Sequence, residues 1–183
     1  MRVIAGTAKG RRLVAPKTGT RPTTDRTKEA LFASLGASVV DANVLDLYSG
    51  SGALAIEALS RGAARAVLVD RDRAAEAAIR ANLHTTGFEA QARVRRSAVA
   101  TFLTTSTPES PFDLVLIDPP YDASADEVNG VLVALARGAF VAADGTVVVE
   151  RRKSDEPLTL PDGWRIEKER AYGDTLLVVA HAG

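Results

Sequence analysis

Between residues 43 and 150, five segments of β character alternate with helical patterns, and this alternation constrains the fold more than any other feature of the chain. The runs fall at about 43–48, 65–70, 90–95, 112–117 and 146–150, the last following Asp144-Gly145. Short, and rich in Val, Leu and Ile in all but the third, they read as strands. Helical spacing separates them: a helix running to about Arg61, one over about 73–86 stopped by Gly87, a short one near 98–104 and one over about 125–137. Such alternation implies a parallel, doubly wound α/β sheet. Residues 164–171 and 175–181, around Gly173-Asp174, read as a closing antiparallel hairpin. Ligands of open α/β sheets sit beyond the carboxyl ends of the strands. Asp46, Asp70 and Asp118 all fall at such ends, on three different strands. Three acids at one rim are more than turn chemistry requires.

Two of these acids belong to motifs. Asp118-Pro119-Pro120-Tyr121 closes the run Phe112 to Ile117. The prolines stiffen the turn and remove two backbone donors, which leaves carbonyls to face a ligand. A carboxylate, bare carbonyls and the Tyr121 ring together suit a planar ring that carries an amino group. Asp46 precedes Tyr48-Ser49-Gly50-Ser51-Gly52, a strand-to-helix turn whose glycines let the backbone approach a ligand. Gly50 to Ala55 fits the dinucleotide fingerprint, with Asp70 about 20 residues on. A nicotinamide dehydrogenase is therefore one rival. Against it, an acid at Asp46 suits an ammonium better than a pyrophosphate, and no catalytic histidine or tyrosine-lysine pair is evident.

The paired motifs resemble those of class I S-adenosylmethionine-dependent methyltransferases that act on amino groups. Met1 to Leu13, followed by Arg21-Pro22-Thr23-Thr24-Asp25-Arg26, narrows the resemblance to the RsmD family, over essentially the whole chain. That resemblance implies a seven-stranded Rossmann-like fold with a small N-terminal β-hairpin extension, the last strand inserted antiparallel. It implies S-adenosylmethionine as cofactor and the exocyclic N2 of one guanine in 16S ribosomal RNA as target. The substrate expected by resemblance is the assembled or late-assembly small ribosomal subunit, modified by a monomer. The catalytic group would be Asp118, Pro119, Pro120 and Tyr121, with the Pro119 carbonyl as a second acceptor. The cofactor would be held by Asp46, Tyr48, Ser49, Gly50, Gly52, Asp70, Arg71, Ser97, Ala98 and Asp118. Family members often carry an acid where Arg96-Ser97-Ala98 stands here, so the adenine contact departs from the pattern.

Net charge is zero, yet its distribution is lopsided. From Met1 to Lys28 eight Lys or Arg face one acid, Asp25, a local excess of +7 balanced by −7 over the rest. A basic arm on an acidic body suits a polyanion docked at one end. Residues 1–24 are therefore expected to form a basic hairpin, turning at Lys9-Gly10, plus a linker for RNA docking; residues 25–183 form the catalytic domain. Lys9, Arg11, Arg12, Arg21 and Arg26 are the candidate RNA contacts. Arg151-Arg152-Lys153 reads as a solvated loop and Asn82 as a surface residue. With no cysteine and two histidines, no metal site is expected. No run approaches a membrane span and no signal-peptide core opens the chain, so a cytoplasmic enzyme is expected. Three alternatives stay open: an N6-adenine nucleic-acid enzyme, a protein-glutamine methyltransferase, and a noncatalytic RNA-binding assembly factor.

Overall fold

The computed structural model describes residues 1–16 and 25–183, so expectations for Arg21, Thr23 and Thr24 lie outside the described residues. Among the described residues five α-helices and seven strands carry the architecture: α1 (Asp25–Leu35), β1 (Asn43–Leu47), α2 (Ala53–Ser60), β2 (Arg65–Asp70), α3 (Arg73–Thr86), β3 (Ala92–Arg96), α4 (Val99–Thr105), β4 (Phe112–Ile117), α5 (Ala125–Arg137), β5 (Val141–Arg152), β6 (Arg165–Tyr172) and β7 (Thr175–His181). The strands form one sheet in the order β3-β2-β1-β4-β5-β7-β6. The first five are parallel. β7 inserts antiparallel between β5 and β6, as the resemblance implied. Strand order reverses between β1 and β4, which opens a crevice at their carboxyl ends.

Each sheet face buries its own core. Val44, Leu68 and Leu116 pack with Leu54, Ile56 and Ile79 on the side of α1, α2 and α3. Leu45, Leu47 and Val115 pack with Phe102, Leu132 and Phe140 on the side of α4 and α5. β1 is buried at all five positions, as the central strand of such a sheet must be.

β5 runs longer than its apolar stretch. Its register against β4 shifts between Phe112 and Leu114, and Asp144-Gly145 sits within this irregularity instead of before the strand. At its far end Arg151 and Arg152 pair with Leu176 and Thr175 of β7. The basic cluster therefore begins in the sheet, and the solvated-loop reading is corrected for Arg151, which is buried.

Around residues 1–16 the expected hairpin reduces to one antiparallel bridge, Arg2 to Arg12. Its turn is wide, running over Ala5–Gly10 with Lys9-Gly10 at its end. The cause is competition for backbone donors. The Ile4 and Ala5 amides donate to the Glu57 carboxylate at 2.8 and 3.1 Å, and the Thr7 and Ala8 amides donate to the carbonyl and hydroxyl oxygens of Ser60. The arm is thereby fastened across α2, whose eight residues are all buried. Gly6 makes the approach possible. A Cβ there would stand 1.7 Å from the Ser60 carbonyl oxygen, and its φ of +83° suits glycine alone.

Asn82 is likewise corrected. It is 1% exposed, and its amide exchanges hydrogen bonds with the backbone of Val14 and donates to the Ser51 carbonyl. One side chain of α3 thus ties the arm to the glycine turn.

Candidate active site

The crevice between β1 and β4 widens into an open cleft that gathers most of the expected residues. Asp46, Tyr48, Ser49, Gly50, Asp70, Arg71, Ala98, Asp118, Pro119, Pro120, Tyr121 and Arg26 all line it. Gly52 and Ser97 do not. Gly52 caps α2 at φ +76°, with its missing Cβ position 2.9 Å from Leu68, so its part is to let the helix pack on the sheet. The Ser97 hydroxyl turns to the Ala98 carbonyl. Lys9, Arg11 and Arg12 lie on the exposed surface of the arm, away from the cleft lining.

The glycine turn is held from three sides. Tyr48 leaves β1 at φ +61°, a strained conformation for a bulky residue that the surroundings must enforce. The Ser49 hydroxyl donates to the Asp46 carbonyl at 2.6 Å, and the Ser49 amide donates to the Val69 carbonyl. The Gly50 amide donates to Asp70 Oδ2 at 2.8 Å, while Asp70 Oδ1 accepts from the Asp72 amide. Asp70 is therefore oriented from both sides, with lone pairs remaining for hydroxyl donors.

Asp46 is strongly perturbed by its surroundings. It is 1% exposed; Oδ2 accepts from the Ala55 amide of α2 at 3.2 Å, and Oδ1 has no hydrogen-bond partner among the described residues. Burial pushes its carboxyl up to about 8, against the Ala55 hydrogen bond, with the charges of Asp118 and Asp70 adding to the rise. A buried carboxylate oxygen with nothing to accept from is costly unless a cationic donor arrives. The aminoacyl ammonium of S-adenosylmethionine is such a donor, and the ribose hydroxyls suit Asp70. The residues present fit that cofactor.

Beyond Asp118 the chain turns through two prolines to Tyr121, a residue 61% exposed. The Arg152 guanidinium lies 4.7 Å from the ring centroid, and Asp155 holds Arg152 by both its backbone amide and its Nε. Glu150, Arg152, Asp155 and the β6–β7 turn at Gly173-Asp174 also line the cleft. Glu150, Asp155 and this turn are not among the residues expected at the site, and Arg152 stands in the sequence only within the Arg151-Arg152-Lys153 cluster read as a solvated loop. Among the described residues no cluster of His, Asp or Glu could hold a metal ion.

Three comparisons with known proteins bear on this site. The family model described as conserved hypothetical protein 95 matches residues 1–181. The ribosomal RNA small subunit methyltransferase D of Escherichia coli strain K12 is 37% identical over 174 residues, covering 94% of this chain and 85% of its own. YlbH of Bacillus subtilis strain 168 is 38% identical over 178 residues, covering 96% and 95%. The solved structure of Escherichia coli yhhF superposes with a TM-score of 0.86 at 35% identity, covering 100% of this chain and 97% of that one.

Proposed function

This chain belongs to the conserved hypothetical protein 95 family, the RsmD family, and on that premise we propose that it methylates the exocyclic N2 of one guanine in 16S ribosomal RNA. It is an S-adenosylmethionine-dependent methyltransferase. The single observation that carries the reaction is the convergence of Asp46, Asp70 and Asp118-Pro119-Pro120-Tyr121 on one cleft at the switch point of the sheet.

When bound, the cofactor supplies a methyl group already activated on a sulfonium. The chain's own work is to prepare the nucleophile. The lone pair of guanine N2 is delocalised into the ring. Hydrogen bonds from both N–H groups, one to the Asp118 carboxylate and one to the Pro119 carbonyl, draw it toward the methyl. As N2 gains positive charge, the carboxylate stabilises the transition state more than the ground state. Asp118 then takes the proton or passes it to water. Tyr121 stacks on the base and aligns it, a contact worth about 1–3 kcal/mol. A paired guanine cannot reach this cleft, so the target is unstacked or flipped. Lys9, Arg11, Arg12 and Arg26, with Arg21, grip phosphates and supply affinity without reading sequence. The substrate in this reading is the assembled or late-assembly small subunit, met by a monomer in the cytoplasm. Among the described residues no helix is long and apolar enough to cross a membrane.

The cofactor site carries its own pH test. The folded chain keeps the Asp46 proton up to about pH 8, whereas an ordinary aspartate releases it near 3.8. Stability from this group therefore falls as pH rises across that window. An ammonium bound at Oδ1 requires the ionised form, so affinity for S-adenosylmethionine is expected to weaken by about tenfold per pH unit below 8. Calorimetry in buffers of different ionisation enthalpy would register a released proton. Affinity flat from pH 6 to 8 would remove Asp46 from the ammonium site.

For the reaction itself, labelled S-adenosylmethionine is incubated with small subunits from a strain lacking this protein, and the RNA is digested to nucleosides. Label in N2-methylguanosine at one site is expected. Label in N6-methyladenosine or in protein would overturn the guanine assignment.

A further inference from the structure

The strand at the sheet's open edge, β3, carries Arg93, Arg95 and Arg96, all exposed. Ala92 and Val94 turn inward and pack on the core beside α3. By strand alternation Arg93 and Arg95 project from the opposite face, roughly 6.6 Å apart along the strand. The cations cluster. Arg93 pairs with Glu109 at 2.8 Å, and this fully exposed carboxyl is held below its usual range by Arg93 first, with Arg65 of β2 and Arg95 adding to it. Arg96 and Arg80 of α3 meet on Glu76 at 3.5 and 2.9 Å, so the charge continues onto the helix. In register Arg96 stands opposite Asp70, which places the upper end of this track at the rim of the cleft.

An edge strand needs some charge to discourage pairing with another chain. Three arginines among five residues, with a fourth from β2 converging on the same carboxylate, exceed that need. Guanidiniums match phosphate oxygens through paired N–H donors. From the cleft rim they run along the sheet edge, a line that an extended phosphate backbone can follow. We propose that the β3 edge, with Arg65, is a second phosphate-docking surface that grips the RNA backbone flanking the target, separate from the amino-terminal arm. This inference rests on the RNA reading above.

The test is binding of the full-length Arg93→Glu/Arg95→Glu variant to small subunits across a salt series, beside the wild type. Removing two phosphate contacts should flatten the slope of log K against log salt by about 1.4–1.8. Affinity at low salt should fall at least tenfold. Cofactor affinity and the rate at saturating subunits should stay unchanged. The Arg93→Gln/Arg95→Gln variant gives the same readout should charge reversal impair folding. An unchanged slope would overturn the proposal and leave the arginines as edge protection. A loss seen on subunits but absent on naked 16S ribosomal RNA would also overturn it, because the partner would then be protein. The reading of the reaction fails separately: wild-type enzyme would leave no label in N2-methylguanosine, whatever the variants bind.

Discussion

Asp118→Ala is expected to lower methyl transfer by about 10²–10³-fold, the range found when one preorganised polar group facing developing charge is removed. The loss should appear in kcat more than in KM, because the carboxylate gains importance only as N2 becomes positive. Asp118→Asn keeps a carbonyl acceptor without the charge and should fall between the two. Cofactor binding should behave in the opposite sense. The charge of Asp118 is one cause of the raised Asp46 carboxyl, so its removal lets Asp46 ionise more readily. Affinity for S-adenosylmethionine should therefore hold or tighten slightly. Single-turnover transfer beside calorimetry of the cofactor separates these effects. Parallel losses of binding and transfer would mean that Asp118 serves the cofactor and not the base.

The features legible in the sequence were those that local patterns encode. Parallel strands buried on both faces read as apolar runs, and β1, β2 and β4 were visible with near-correct limits. Because ligand groups cluster at strand ends, Asp46, Asp70 and the Asp118 motif were found together before any contact was known. What escaped depends on partners far along the chain. β5 extends to Arg152 because β7 continues to pair with it, and nothing within residues 141–152 announces that partner. Asn82 looks like a helix-surface residue until Val14 and Ser51 close over it. The amino-terminal turn reads as a compact hairpin because its sequence cannot show that Glu57 and Ser60 take its amides. One clue to this was available: Glu57 is the single charge in an otherwise uncharged helix, Ala53–Ser60.

Glu57→Ala is expected to cost about 3–5 kcal/mol of folding stability, the usual loss when one partner of a buried ion pair is removed. The Glu57 side chain has no exposed surface. It accepts from the Ile4 and Ala5 amides and from Arg61 Nε at 2.8 Å, and stands 3.5 Å from Lys28 Nζ. Lys28 is 1% exposed, and its other contact is the Arg2 carbonyl. Burial holds the Lys28 ammonium below its usual range, and Glu57 is the largest opposing influence. Without Glu57 the protein must keep an uncompensated cation or neutralise it, and two arm amides lose their acceptor in either case. The arm would loosen from α2 and expose Val3, Ala8 and Leu13, which now belong to the core. Docking through Lys9, Arg11 and Arg12 should weaken with it, although none of those residues has changed. Glu57→Ala combined with Lys28→Met should recover part of the stability, because no uncompensated charge is then left buried, while the cavity left by the shortened residue 57 keeps the rest lost. It should not restore docking, since the Ile4 and Ala5 amides still lack their acceptor. Urea unfolding of the single and double variants, beside binding to small subunits, tests both halves. Stability within 1 kcal/mol of wild type for Glu57→Ala would show that the arm is not fastened through this carboxylate.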